Sequence, residues 1–147
     1  MLLKNILNFY NLLLSLGACY LGVSMLLGRG VFDTFPPEWI GKLPFNSWAS
    51  LALFGMIIFG SGNAFASIWG FIKKDIKIFI MTITMGALFF FCTVISTMLV
   101  GEWYLPTGQF LILSSIQILL GVVGFVISYF NNRISLCILR QFGGENR

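Results

Sequence analysis

Residues 78–101 read IFIMTITMGALFFFCTVISTMLVG, and no Asp, Glu, Lys, Arg or His interrupts them. Three more windows share this property, at 5–28, 43–72 and 103–132. A helix needs about 20 apolar residues to cross the hydrocarbon core of a bilayer, and every window is at least that long. The sequence therefore predicts an all-α membrane protein with four transmembrane helices in an antiparallel bundle. We place the spans at about 6–27, 47–71, 78–100 and 109–130.

Composition leaves little chain outside these spans. The protein has 147 residues, of which 58% are hydrophobic and only 10% charged, and its mean hydropathy is +0.92. Soluble domains usually carry roughly a quarter charged residues. We expect one domain, 1–147, with no catalytic module outside the membrane. The net charge of +4 does not indicate nucleic-acid binding, because the densest basic cluster, Lys73, Lys74 and Lys77, lies between two apolar windows.

Basic residues predict the orientation. Arg29 and Lys42 fall on one side of the four spans, and the other seven fall on the opposite side: Lys4, Lys73, Lys74, Lys77, Arg133, Arg140 and Arg147. By the positive-inside rule, both termini and the tail 131–147 are cytoplasmic, and the loop 28–46 is outside. An outer aromatic belt is expected from Trp39, Trp48, Trp103 and Tyr104. The segment after Arg133 either extends the fourth helix or forms a separate interfacial helix.

The first span contains a sequence like a lipoprotein cleavage box, Leu16-Gly17-Ala18-Cys19. The apolar stretch continues past Cys19 to Leu27, where a mature lipoprotein normally turns polar, so we expect a retained transmembrane helix. The three cysteines have no metal-ligand spacing and the chain has no histidine, so we expect no metal site and no cofactor.

The loop 28–46 is too apolar for an ordinary solvated loop. Asp33 or Thr34 can begin a short interfacial helix, Pro36 and Pro37 suit its first turn, and Gly41 can end it. Either this segment is a lid packed on the outer end of the bundle, or it docks a partner or gates a ligand. The candidate docking residues of the outer loop are Phe35, Glu38 and Trp39.

The second span is rich in small residues. Gly60, Ala64 and Ser67 follow one line along the helix, and Gly62, Ala66 and Gly70 follow another at four-residue spacing. Small residues allow close approach of membrane helices. The lines pack either inside the chain, against Ala18 and Gly22 or against Gly121 and Gly124, or against a partner. The candidate helix-packing or partner face is Gly60, Gly62, Ala64, Ala66 and Gly70.

Two amides lie near the middle of the predicted membrane. Asn63 precedes Lys73 by ten residues, about 15 Å along a helix, and Gln117 lies at a comparable depth. An unpaired polar group in hydrocarbon costs several kcal/mol, so both need partners. Hydroxyls for this role are offered by Thr84, Thr93, Ser96, Thr97, Ser114 and Ser115. These polar side chains either hold the helices together or form a site for a small ligand or lipid headgroup.

Several functional classes lack the residues they require. No predicted span contains Asp, Glu, Lys, Arg or His, which ion-coupled carriers generally place there. No carbonyl filter like TVGYG and no nucleotide-binding or haem motif occurs. Asp33, Glu38 and Glu102 are the only acids on the predicted outer side, and scattered loop acids are usually solvated. The sequence therefore argues against an enzyme or a proton-coupled transporter.

Four short segments and a basic pair follow one another in a recognisable order. They are Leu26-Leu27-Gly28, Phe35-Pro36-Pro37-Glu38-Trp39-Ile40, Leu43-Pro44-Phe45, Gly62-Asn63-Ala64-Phe65-Ala66 and then Lys73-Lys74. This order resembles a group of small, largely uncharacterised bacterial integral membrane proteins with four helices. The resemblance covers most of the chain. It implies the fold and a bacterial plasma membrane, and it transfers no activity or site residue.

The expected function is that of a non-enzymatic accessory or regulatory subunit, which binds another membrane protein through the small-residue faces and the outer loop. One alternative is a homo-oligomeric transporter or channel for a small solute or lipid-like ligand. A weaker alternative is a membrane enzyme that acts on lipid at the interface. The expected partners are membrane lipids and either another membrane protein or a second copy of the chain, with no nucleic acid.

Overall fold

The computed structural model describes residues 2–73, 76–101 and 105–142, and the side chains of 3–73, 76–101, 107–131 and 133. Four long helices make up most of this chain: α1 (Leu2–Leu26), α2 (Trp48–Lys73), α3 (Lys77–Val100) and α4 (Leu105–Phe142). Each contains a segment long and apolar enough to cross a membrane. No β-strand occurs among the described residues. The predicted all-α fold with four transmembrane helices is confirmed.

The helices pack as a square in chain order. α1 and α2 form the most extensive contact, α3 packs along α4, and α2–α3 and α4–α1 complete the ring. α1 and α3 are therefore diagonally opposite, as are α2 and α4. At the end of the bundle where α1 begins, Leu7, Ile78 and Phe79 form a small hydrophobic core. Buried polar residues occupy the layer above it.

α2 begins at a capped serine and contains an irregular turn. Ser47 Oγ accepts a hydrogen bond from the backbone nitrogen of Ser50 at 3.3 Å, which satisfies one free donor at the helix start. Residues Met56–Gly60 form a π-helical turn between the α-helical stretches Trp48–Gly55 and Ser61–Lys73. A π-turn adds one residue to a helical turn and so re-phases every side chain beyond it, here the face that carries Asn63.

α3 ends at a left-handed glycine, and α4 runs further than the membrane requires. Gly101 adopts a left-handed conformation, with φ of +78°, and its backbone nitrogen donates to Thr97. The membrane-length part of α4 is Thr107–Asn131, and the helix then continues for about three more turns to Phe142. The segment after Arg133 thus extends the fourth helix rather than forming a separate one.

The loop between α1 and α2 contains two 3₁₀ turns, Gly30–Phe32 and Pro37–Trp39. The predicted short helix is the second of these. Its cap is Pro36, which offers no side-chain hydrogen bond, so the expected capping by Asp33 or Thr34 is wrong. Pro37 occupies the first position of the turn, where a missing N–H costs nothing.

Several expectations fall on residues outside the described part of the chain. These are the basic and acidic residues of the α2–α3 link, Lys74 and Asp75, and the outer residues Glu102, Trp103 and Tyr104. The tail beyond Phe142 also lies outside it, as do the side chains of Cys137 and Arg140.

Candidate functional site: a buried amide network

α1 carries a line of polar side chains that faces the inside of the bundle. Asn8, Asn11 and Ser15 follow one another at three- and four-residue intervals, which places them on one face of the helix. Their exposed fractions are 1%, 0% and 6%. Because hydrocarbon supplies no hydrogen-bond partner, each must find one inside the chain.

α2 meets this line with both backbone and side-chain groups. Ser15 Oγ donates to the backbone oxygen of Gly60 at 2.7 Å, at the end of the π-turn. About two turns further along α2, Ser67 Oγ donates to the backbone oxygen of Asn8 at 2.9 Å. The first bond is donated by α1 to α2 and the second by α2 to α1. Together they fix the position of the two helices relative to each other along their axes.

Nearer to the outer-loop end of the bundle than Ser67, one polar side chain from each helix joins a common network. Gln117 Nε2 of α4 donates to Asn63 Oδ1 of α2 at 2.7 Å and to Asn11 Oδ1 of α1 at 3.1 Å. Asn11 Nδ2 in turn donates to Thr82 Oγ1 of α3 at 2.8 Å. All four residues are buried, with exposed fractions of 2% or less. The network therefore links all four helices across both diagonals of the square.

The hydrogen bonds run outward from Gln117 to the helix backbones. Thr82 Oγ1 donates to the oxygen of Ile78, and Asn63 Nδ2 donates to the oxygen of Phe59, each at 2.9 Å. Both side-chain N–H groups of Gln117 are used. Turning its amide by 180° would set its oxygen against the amide oxygens of Asn11 and Asn63, so the pattern fixes its orientation.

Among the side chains that the structure describes, two buried amide oxygens receive no conventional hydrogen bond, Gln117 Oε1 and Asn8 Oδ1. Asn8 Oδ1 lies where a Cβ of Gly70 would stand, so it faces an α-hydrogen of that glycine. A Cα–H···O contact of this kind is a weak substitute for an N–H donor. An unpaired buried acceptor costs about 1–3 kcal/mol, so Gln117 Oε1 carries a real penalty.

Amides and hydroxyls can hold helices in register and can bind a ligand by hydrogen bonds, but they do not exchange protons near neutral pH. Among the described residues no three His, Cys, Asp or Glu side chains gather as a metal site would require. Two shallow clefts of the described chain lie on the outside of α1, away from this network. The arrangement is therefore suited to fixing four helices in one geometry.

The small residues predicted on α2 lie at different depths. Gly60, Ala66 and Gly70 are buried, whereas Gly62 and Ala64 are half-buried. A Cβ on Gly60 would stand 3.2 Å from Cys19 Sγ of α1, and one on Gly70 would overlap Asn8 and Ile78. Gly60, Ala66 and Gly70 are therefore used in packing within the chain.

The remaining glycines show which helices approach each other. Gly62 faces the thioether end of Met85 on α3, and Gly22 of α1 faces Met56 of α2. Gly121 and Gly124 of α4 face Ile83 and Phe79 of α3. Of the two predicted internal contacts for α2, the structure therefore provides the one with α1; the α4 glycines serve α3 instead.

Two of the three predicted docking residues of the outer loop, Phe35 and Trp39, belong to an aromatic cluster. Trp48 stands edge-on to Phe32, Phe35 and Trp39, with ring centroids 5.1, 5.1 and 5.6 Å away. Its Nε1 also donates to the oxygen of Thr34 at 3.0 Å. Phe35 and Trp39 are half-buried in this cluster, and Glu38 is exposed.

The sequence interpretation did not identify Asn8, Asn11 or Thr82. The missed signal was two asparagines and Ser15 on one face of an apolar helix, because the windows were defined by charge alone. Five of the six hydroxyls proposed instead bond to their own helices: Thr84, Thr93, Thr97, Ser114 and Ser115 each donate to a carbonyl three or four residues earlier.

Comparison with protein-family models, with curated proteins and with solved structures found no match for this chain.

Proposed function

We propose that the protein is a non-enzymatic accessory or regulatory subunit that binds another membrane protein. The observation that carries this proposal is the amide network. Its four side chains donate hydrogen bonds to one another and to the helix backbones: Gln117, Asn63, Asn11 and Thr82. The bundle interior therefore serves to hold the helices together. Functional contacts are then left to the outer surface.

The outer loop is the contact surface that we propose. Its aromatic cluster holds it in one shape, and Lys42 Nζ reaches the last carbonyl of α3, on Val100, at 3.4 Å. A folded loop loses less conformational entropy on binding than a flexible one. Glu38 and Ile40 are exposed on this loop, which offers a charge and an apolar side chain to a partner.

The small-residue face contributes to the proposal only in part. Gly60, Ala66 and Gly70 are already covered by α1 and α3. Ala64 is half-buried and lies one turn before the exposed Ile68, next to the exposed Phe65. We propose that a partner helix approaches α2 along this side, where Ala64 permits a close contact.

We further propose a bacterial plasma membrane with both termini in the cytoplasm. Seven basic residues against two support this orientation by the positive-inside rule. The resemblance described above supports the bacterial membrane.

The test is cross-linking from the loop. A photoreactive amino acid placed at Glu38, and separately at Ile6 on α1, is activated in intact cells, and the protein is then extracted in mild detergent for mass determination. We expect a heteromeric product of defined mass from position 38 and not from position 6. A monomer with no product from either position would contradict the proposal, and a product containing only this chain would favour a homo-oligomer.

One observation favours the transporter or channel alternative. Asn5, Asn8, Asn11 and Ser15 form a polar line on α1 from the end with the termini to mid-bundle, and Gln117 Oε1 lies there without a donor. A small uncharged solute with a hydrogen-bond donor would suit that acceptor. Solute flux into liposomes containing the purified protein, lost in Gln117→Leu, would support this alternative over the subunit.

A further inference from the structure

A shallow groove runs along the outside of α1 where that helix ends. Tyr20, Val23 and Leu27 form its floor on one helix face, and Val31 and Phe32 of the first 3₁₀ turn form its wall. These side chains are apolar apart from the Tyr20 hydroxyl, and Val31 is 82% exposed. The groove opens sideways from the bundle, toward the surrounding bilayer.

Arg29 is held at the upper end of this groove by the way α1 terminates. The backbone nitrogen of Arg29 donates to Ser24 and that of Gly28 donates to Met25, at 3.2 and 3.3 Å, which is the Schellman pattern. Gly28 supplies the left-handed residue that this pattern needs, with φ of +58°. Because the cap fixes the backbone, the guanidinium starts from a defined position over the groove.

The guanidinium of Arg29 has no partner in the described chain. Among the described residues it makes no hydrogen bond, ion pair or ring contact, and Asp33, four residues later, forms no ion pair with it. The membrane-length segment of α1 ends at Leu26, so Arg29 lies three residues beyond it, at headgroup depth. This depth follows from the helix length and holds for either orientation of the chain.

We propose that this groove binds one anionic phospholipid, with the lipid phosphate on Arg29 and an acyl chain along Tyr20, Val23 and Leu27. Arginine presents its N–H groups in a fork that matches two phosphate oxygens, and such charge-assisted bonds are among the stronger ones in proteins. The carbonyls of Ser24 and Met25 are already capped, which lowers the negative potential that a bare helix end would present to the phosphate. A net negative headgroup complements the Arg29 guanidinium better than a zwitterionic one, because no acidic side chain of the described chain lines the groove to hold an ammonium group.

The experiment measures lipid retention by the purified full chain in detergent, by native mass spectrometry. Phosphatidylglycerol and phosphatidylcholine with identical acyl chains are titrated separately. We expect one phosphatidylglycerol to bind more tightly than the first phosphatidylcholine. Arg29→Gln should weaken phosphatidylglycerol binding about fivefold, the effect expected for one basic residue near a lipid surface, and leave phosphatidylcholine unchanged. Arg29→Lys should retain most of the selectivity.

Lys42→Gln is the matched control, because Lys42 lies at the same end of the bundle but its ammonium group is directed to Val100. It should bind phosphatidylglycerol as the unmodified chain does. Equal binding by the unmodified chain and Arg29→Gln, or an equal loss in Lys42→Gln, would overturn the site. Equal affinity for both lipids in the unmodified chain would overturn the preference for a negative headgroup.

Circular dichroism melting of each variant establishes that the helices remain folded. If Arg29→Gln fails to fold, loss of selectivity in Arg29→Lys overturns the proposal.

Discussion

Gln117 Nε2 on α4 donates to Asn63 Oδ1 on α2 at 2.7 Å, and so joins two helices that lie diagonally opposite in the bundle. The second diagonal is bridged by Asn11 and Thr82 at 2.8 Å. Side-by-side packing fixes neighbouring helices but leaves a square free to shear into a rhombus. Hydrogen bonds across both diagonals oppose that shear, which is why the network is a determinant of the fold.

Gln117→Ala should destabilise the bundle by roughly 1–3 kcal/mol. The change removes two interhelical hydrogen bonds, which average about 0.6 and reach about 1.7 kcal/mol each in membranes, and it leaves two buried oxygens unpaired. Reversible unfolding in detergent measures the difference. Ser115→Ala is the control, because Ser115 bonds only to Leu111 of its own helix.

The double variant Asn63→Ala with Gln117→Ala tests whether the two residues act on each other. The two single changes should add up to more than the double change, since each removes the same bond. A loss in Gln117→Ala no larger than that in Ser115→Ala would show that the network contributes nothing to stability.

Alanine at three glycines should rank by the space around each. Gly70→Ala forces Ile78 and Asn8 to move and should cost about 1–3 kcal/mol. Gly62→Ala meets only the flexible end of Met85 and should cost less. Gly17 has nothing within 4 Å, so Gly17→Ala should be neutral. Melting temperatures in one detergent give the order, and an equal effect at all three positions would contradict the packing described here.

The four helices were predictable because charge decides which segments enter a membrane. The predicted spans begin and end within a few residues of the observed ones, for example 78–100 against Lys77–Val100. The π-turn at Met56–Gly60 was not predictable, since it leaves hydropathy unchanged. The extension of α4 to Phe142 was left open because Arg133 is tolerated equally by a helix in water and by an interfacial one.

Half of the amide network was visible in the sequence. Asn63 and Gln117 stand out as amides at mid-membrane depth. Both were expected to have partners, because an unpaired polar group in hydrocarbon is costly. Asn11 and Thr82 were missed for different reasons. The window that contains Asn11 was judged by charge alone, which overlooks an uncharged amide, and Thr82 is one of many hydroxyls on α3. Only the arrangement of the helices selects Thr82 from the others.

The orientation can be read from two exposed positions in a chain without cysteines. Glu38→Cys lies in the outer loop and Lys73→Cys at the end of α2, on opposite ends of the bundle. A membrane-impermeant thiol reagent on intact cells should label position 38 alone, because seven basic residues accumulate at the other end. Labelling of position 73 alone would reverse the proposed orientation.

Trp48→Ala should loosen the outer loop and leave the bundle folded. The change removes three edge-to-face ring contacts, each worth about 0.5–1.5 kcal/mol beyond burial, together with the hydrogen bond to Thr34. Trp48 lies in the first turn of α2, about four turns before Asn63. The four-helix network is therefore remote from the change and should keep its hydrogen bonds. Hydrogen exchange of the backbone amides in 30–43 should accelerate by ten-fold or more, the equivalent of about 1.4 kcal/mol, while the amides around Asn63 stay protected.

Trp48→Phe keeps a ring but loses the bond to Thr34. Exchange in 30–43 should therefore be faster in this variant than in the unmodified chain and slower than in Trp48→Ala. Trp69→Ala, which removes an aromatic residue at the opposite end of α2, is the control and should leave exchange in 30–43 unchanged. Equal acceleration in both alanine variants would mean that the loop responds to the stability of the whole bundle, and that the aromatic cluster does not hold it.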